Sequence, residues 1–229
     1  MAPHMKPIAD DAWHVPLGPR DAVNTYILGD VLVDSGYKFQ SGRAIAAARR
    51  LGVTEHALTH AHLDHAGGSA KVCRELGLPG VAVGATDAPD VRSGRPEPPP
   101  HTPLKPVGRW YGSFEAAPVT RELTEGDVVG PGFVVLDVPG HSLGHVAFWR
   151  EADRVLITGD VLFDMHLITT APGLREPPRP FTTDPALNRR SIRKIAALQP
   201  RIVGFGHGPV LREDAAAKLA AVAAALPAD

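Results

Sequence analysis

Four short apolar runs in this chain each break off into a histidine or an aspartate with glycine close by. Residues 56–59 lead into His60-Ala61-His62-Leu63-Asp64-His65-Ala66-Gly67-Gly68. Residues 133–138 lead into Pro139-Gly140-His141, 155–158 into Gly159-Asp160, and 202–205 into Gly206-His207-Gly208. A short apolar run bounded by turn residues reads as a buried strand, and glycine lets the chain turn sharply where the strand stops. The repeated design therefore asks for a fold in which several strand ends gather at one sheet edge.

The rest of the chain supplies the other elements. Residues 23–28 and 31–33 read as strands joined at Gly29-Asp30, a hairpin-like turn. Residues 41–51 read as a helix with Ser41 as its cap and Gly52 as its stop. A helix over 67–76 and a strand over 81–83 complete a strand–helix–strand unit. The second half repeats this grammar. It has a hairpin within 126–138, a hairpin of 145–149 with 154–158, a helix over 185–198, a strand over 201–205 and a helix over 212–226. Mixed strands and helices in both halves predict two mixed β-sheets face to face with helices outside, a four-layer αβ/βα sandwich. A length of 229 residues suits one domain. Two proline-rich stretches, 88–118 and 171–185, fit no regular element; long loops of this kind often serve as lids or binding loops.

Three imidazoles and a carboxylate within the six residues 60–65 form a concentrated ligand set for a borderline-soft divalent cation. His60 and His62, two apart, can point the same way while Asp64 and His65 reach a second position. A solvated polar loop explains single histidines but not this density. His141, Asp160 and His207 would each be weak signals alone; beside the first cluster they complete a site.

The ordered motifs resemble those of the metallo-β-lactamase superfamily, whose HxHxDH sequence and three later strand-end positions build a metal site. The resemblance covers nearly the whole chain and implies the same sandwich fold. It implies that His60, His62 and His141 hold one metal, that Asp64, His65 and His207 hold the other, and that Asp160 bridges them. Asp34, which ends the run 31–34 before Ser35-Gly36, resembles a position that braces the metal loops; a plain turn-former is the competing reading. His145 is expected to support the site, since His141 already fills the ligand position.

True β-lactamases of the family generally lack the bridging aspartate, and some use a cysteine ligand. Here Asp160 is present, and the lone Cys73 falls in a predicted helix outside every motif. The pattern is more similar to the glyoxalase II (hydroxyacylglutathione hydrolase) branch. About 22 residues follow His207, against the added helical region with which that enzyme recognises glutathione. The expected activity is hydrolysis of a small ester, thioester or lactone by a metal-bridging hydroxide, with Asp64 orienting the water or carrying its proton. Zinc is the expected metal, two ions per chain, with iron and manganese compatible with the same donors. The alternative from another reaction class is a mononuclear iron sulfur dioxygenase acting on a persulfide; a binding protein that keeps the fold without activity is a third reading. Ser35, Ser69 and Ser142 lie near motifs, but none has a G-x-S-x-G setting for a serine nucleophile.

Composition narrows the partners. A formal net charge of −1 and 6% aromatic residues do not suit phosphate-backbone binding or base stacking, so nucleic acid is not expected. No run approaches the roughly 18 apolar residues of a membrane helix, and 1–20 does not read as a signal peptide. One cysteine allows no intrachain disulfide, which fits a cytoplasmic setting. A small-molecule substrate and a monomer or homodimer are expected. His4, His14, His56, His101 and His166 have no supporting neighbours and default to surface or packing roles, with a substrate role conceivable for His166. Trp110, Tyr111, Phe114, Phe163 and Phe181 are candidates to line an apolar pocket.

Overall fold

A computed structural model describes residues 5–100, 102 and 112–227. The first sheet has seven strands in sequence order. They are β1 (Lys6–Ala9), β2 (Ala12–Pro16), β3 (Asn24–Leu28), β4 (Val31–Val33), β5 (Glu55–Ala57), β6 (Val81–Gly84) and β7 (Val119–Leu123). Strands β1 to β4 are antiparallel; β4 to β7 pair in parallel. Helices α1 (Ser41–Leu51), α2 (Leu63–Ala66), α3 (Ser69–Leu76) and α4 (Ala88–Ser93) belong to this half. The second sheet contains β8 (Val128–Val129), β9 (Phe133–Asp137), β10 (Val146–Arg150), β11 (Val155–Ile157) and β14 (Ile202–Gly204), in the order β14-β11-β10-β9-β8. A separate hairpin is formed by β12 (Phe163–Met165) and β13 (Pro172–Arg175), and α5 (Pro185–Ala197) and α6 (Ala215–Ala225) complete the chain.

Side chains alternate across a strand, and this explains the layering. Tyr26, Leu28, Val31 and Val33 from the first sheet meet Phe133, Val135, Phe148, Val155 and Ile157 from the second in one buried cluster. The intervening residues face outward. Ile27 and Leu32 pack with Ala44, Ile45 and Ala48 of α1, while Leu136, Trp149 and Leu156 pack with Ile192 and Ile195 of α5 and Leu219 of α6. The result is helix, sheet, sheet, helix, the predicted sandwich.

Most elements fall where the sequence places them, with local differences. Ser41 is the first helical residue of α1, not its cap; Gln40 holds the cap position and Ser41 Oγ donates to the Lys38 carbonyl at 2.8 Å. Gly52 does stop that helix, at φ 70° with its N–H on Ala48 O. The predicted helix 67–76 begins as α3 at Ser69, and Asp64 and His65 lie on the separate short turn α2. The proline-rich stretches are not wholly irregular. The first opens with α4, where Pro89 occupies the first turn, a position that loses no hydrogen bond to proline. The second contains β13 and a short 3-10 turn, Arg179–Phe181. His4, His101, Trp110 and Tyr111 lie outside the described residues. Among those described, no helix is long and apolar enough to cross a membrane.

Candidate metal centre

Strand direction brings the candidate residues together. Strands β4 and β5 are parallel, so Asp34 and His60 leave the first sheet at the same edge. In the second sheet β9 and β11 are both antiparallel to β10, and β14 is parallel to β11. Their C-terminal ends therefore share an edge, from which His141, Asp160 and His207 emerge. Two groups of ligand-type atoms result, each with its atoms within 4.8 Å of one another: His60, His62 and His141, and Asp64, His65, Asp160 and His207.

The two groups abut at Asp160. Its Oδ2 lies 3.1 Å from His207 Nε2 and 3.5 Å from His141 Nε2, and its Oδ1 lies 3.2 Å from His65 Nε2. Asp64 Oδ2 is 3.3 Å from His207 Nε2. Glycine is required behind this contact, because a Cβ at Gly206 would collide with Asp160 Oδ1 and the His65 ring.

Four of the five imidazoles are turned by what their other nitrogen does. His65 Nδ1 donates to Asp34 Oδ2 at 2.8 Å, and His207 Nδ1 donates to Ala22 O at 2.5 Å. The Nδ1 atoms of His60 and His141 face Thr59 Oγ1 at 3.0 Å and Thr182 Oγ1 at 3.4 Å. The inward Nε2 atoms of His60, His65 and His141, and Asp160 Oδ1, are buried without a hydrogen bond. Buried polar atoms are rarely left so, and orphaned nitrogens converging beside carboxylates fit a divalent cation that takes imidazole and carboxylate donors. Outer hydrogen bonds of this kind are what orient ligating histidines.

Electrostatics divide the groups. Burial, reinforced mainly by neighbouring histidines, holds His60 and His141 well below the usual histidine range, and burial also lowers His62. Burial thus favours the neutral form of these three rings, the form that binds a metal. Burial works the same way on His65 and His207, but the carboxylates outweigh it. Asp160, Asp34 and Asp64 hold His65 well above the usual range, and Asp160 and Asp64 push His207 up to about 10. Burial opposes ionisation of Asp64 and Asp160, yet their histidine partners hold both below the usual carboxylate range.

The residues expected to support the site do touch it. Asp34 sits at φ 62°, in the left-handed region that aspartate tolerates better than most residues. Besides His65 it accepts from Thr59 N and Thr59 Oγ1, each at 2.8 Å. His145 Nε2 accepts from Asp160 N at 3.0 Å, and its ring stacks on His60 with centroids 4.6 Å apart; burial pushes it down to about 3.

Sequence reasoning misses Asp87. Its buried carboxylate accepts from Ala61 N at 3.0 Å, Ser142 Oγ at 2.7 Å and Gly144 N at 2.8 Å. It ties the loop between His60 and His62 to the loop after His141. The signal was there: 81–84 is an apolar run ending in glycine, with Asp87 three residues on. Asn24 is the second omission. It donates to Phe205 O at 3.0 Å and Gly208 O at 2.7 Å, and its Oδ1 accepts from His14 Nε2 at 2.8 Å. His14 thus supports the His207 loop from within the fold, the packing role of the two its sequence left open. His56 is buried too, with Nδ1 donating to Leu32 O at 3.0 Å and Nε2 2.9 Å from Ser69 Oγ. His166 Nδ1 receives Ile168 N and Thr169 N at the tip of the β12–β13 hairpin, at 3.3 and 3.2 Å.

A cleft of about 580 Å³ opens over both groups, within the range of small-molecule sites. Phe163 and Phe181 line it; Phe114 instead packs beside the core cluster that contains Cys73.

Residues 18–207 match the model of the metallo-β-lactamase superfamily, and the chain belongs to that superfamily. It is a metal-dependent hydrolase by its relatives and its fold. The probable metallo-hydrolase YflN of Bacillus subtilis is 28% identical over 200 residues, 78% of this chain and 75% of that protein. A hydroxyacylglutathione hydrolase of Bdellovibrio bacteriovorus is 32% identical over 122 residues, 52% of this chain and 38% of that enzyme. The crystal structure of TTHA1623 in a di-iron-bound form superposes with a TM-score of 0.66 and 29% identity, covering 91% of this chain and 97% of that one.

Proposed function

We propose that the protein is a binuclear metal-dependent hydrolase acting on a small ester, thioester or lactone. The observation that carries the reading is the pair of abutting ligand groups, three imidazoles beside two carboxylates and two further imidazoles, at the floor of one cleft. His60, His62 and His141 would hold one ion, Asp64, His65 and His207 the other, and Asp160 would serve both. Bound divalent ions supply Lewis-acid polarisation of the carbonyl and bring the pKa of water from 15.7 towards about 7. Zinc suits the donors; iron suits them as well, and the di-iron-bound TTHA1623 structure keeps that ion in the comparison.

The chain's own residues do the rest. Asp64 lines the cleft, with a side chain 24% exposed where that of Asp160 is 2% exposed. It is the carboxylate placed to take a proton from the attacking water and return it to the leaving group. The water oxygen forms the new acyl bond, the acyl–oxygen or acyl–sulfur bond breaks, and the products are a carboxylic acid and an alcohol or thiol. Thr59, Asp34 and His145 hold the floor rigid during this exchange, through the hydrogen bonds described above. The test is elemental analysis of protein purified without chelator, paired with a thioester, ester and lactone panel. About two divalent ions per chain and hydrolysis abolished by chelation support the reading. One iron per chain with oxygen uptake on a persulfide would overturn it in favour of the dioxygenase.

A further inference from the structure

The cleft over the candidate metal groups has an apolar wall that continues out to solvent. At the floor, the Phe163 ring lies 4.7 Å from the His207 ring and 6.3 Å from the His141 ring, centroid to centroid. Leu167 and Ile168 follow at the tip of the β12–β13 hairpin, and Phe181 completes the rim. Ile168 is 88% exposed and Phe181 50% exposed. Tyr37, also in the lining, stacks on Phe39 at 5.4 Å, and Phe39 is itself 82% exposed.

Single exposed hydrophobic side chains are ordinary, so Ile168 alone carries nothing. Grouping and rigidity carry the argument. Among the described residues five large hydrophobics are exposed, and three of them, Phe39, Ile168 and Phe181, sit on or against this one rim. The turn that presents Ile168 is pinned. His166 Nδ1 receives two of its backbone N–H groups, Thr170 N donates to His166 O at 2.7 Å, and Arg20 holds Thr170 Oγ1 at 2.8 Å. An isoleucine is thus fixed in water above the cleft by its own turn.

Resting on the acyl-hydrolase reading above, we propose that the substrate's acyl group is an alkyl chain of medium length. It lies along Phe163, Leu167 and Ile168 and leaves the cleft past Phe181. The test uses the metal-loaded full chain and acyl thioesters of the neutral thiol N-acetylcysteamine, from acetyl through butyryl, hexanoyl and octanoyl to decanoyl. The value of kcat/KM is expected to rise about fourfold per added methylene while the chain still finds apolar wall, the ratio for moving one CH₂ out of water. Ile168→Asp is expected to lower the octanoyl-to-acetyl ratio by about tenfold, as though two buried methylenes were lost. The exposure of Ile168 makes this variant safe for folding, and metal content per chain checks it. A flat or falling series, or an unchanged ratio in Ile168→Asp, would overturn the chain proposal while leaving the hydrolase reading intact. No hydrolysis at any chain length would sink the hydrolase reading, and this proposal with it.

Discussion

Replacing Asp87 by alanine tests whether the floor of the site depends on a residue that ligates nothing. The carboxylate accepts two backbone N–H groups, from Ala61 and Gly144, and the Ser142 hydroxyl, all from buried residues. Asp87→Ala strands those three donors, and an unsatisfied buried donor costs about 1–3 kcal/mol. Two effects reduce the total: the buried carboxylate no longer has to be desolvated, and a water can enter the vacated space. A net loss of about 2–4 kcal/mol follows from these offsets. Asp87→Asn keeps the shape and one acceptor but turns an amide N–H₂ towards a donor, so its loss should be smaller, about 1–3 kcal/mol. Urea unfolding of the metal-free protein reads stability directly. Metal titration reads the second effect: Ala61 lies between His60 and His62, so binding at the three-histidine group should weaken by about 10–100-fold, as for other outer hydrogen-bond partners of metal ligands. If Asp87→Ala unfolded at the wild-type urea concentration and bound metal unchanged, the reasoning would be refuted.

Three further outcomes are expected. Asp160→Ala should weaken retention of both ions whereas His207→Ala should mainly weaken one, since Asp160 touches both groups and His207 one; two tightly held ions and full activity in Asp160→Ala would dismiss the bridging role. Chelation should lower the melting temperature by about 5–10 °C per ion, from about 2.7 kcal/mol at metal 100-fold above Kd and about 2–4 °C per kcal/mol for a chain of this size, and calorimetry showing equal melting with and without chelator would contradict it. Burial lowers His56 below its usual range, so the unfolded chain binds its proton more readily below about pH 6.5; the stability this residue contributes is present above that pH and declines as pH falls. Urea midpoints between pH 7.5 and 5.5 should therefore drop less in metal-free His56→Gln than in metal-free wild type, and parallel curves would reject the assignment.

The candidate ligands are legible because each follows a local rule that needs no partner: an apolar run breaks off into a donor, with glycine close before or after it. What supports them is not, since its logic is tertiary. The β1–β2 hairpin carries Pro7 and Pro16 and buries a histidine, so its pattern reads poorly as a strand until Asn24 is seen to satisfy His14. Asp87 occupies the N-cap position of α4 yet makes no cap hydrogen bond there, so from sequence it looks like an ordinary helix start. Only the approach of Gly144, where a Cβ would collide with Asp87 N, shows what the carboxylate is for. In the same way α4 hides in a proline-rich stretch because Pro89 is harmless in a first turn.

Neither ligand group can be assembled by one half of the chain. The first takes His60 and His62 from loops of the first sheet and His141 from the second; the second takes Asp64 and His65 from one and Asp160 and His207 from the other. The protein's hydrogen bonds cross the same boundary. Tyr26 Oη on β3 donates to Phe205 O at 2.8 Å, Asn24 reaches Phe205 O and Gly208 O, and Asp87 reaches Ser142 and Gly144. The apolar cluster between the sheets, with Tyr26, Phe133 and Phe148 fully buried, sets their separation, and the polar contacts at its edge set their register. The site is therefore the wet edge of the dry interface that folds the molecule. A core substitution that shifts one sheet against the other must move ligands in both groups, even from a position that touches neither.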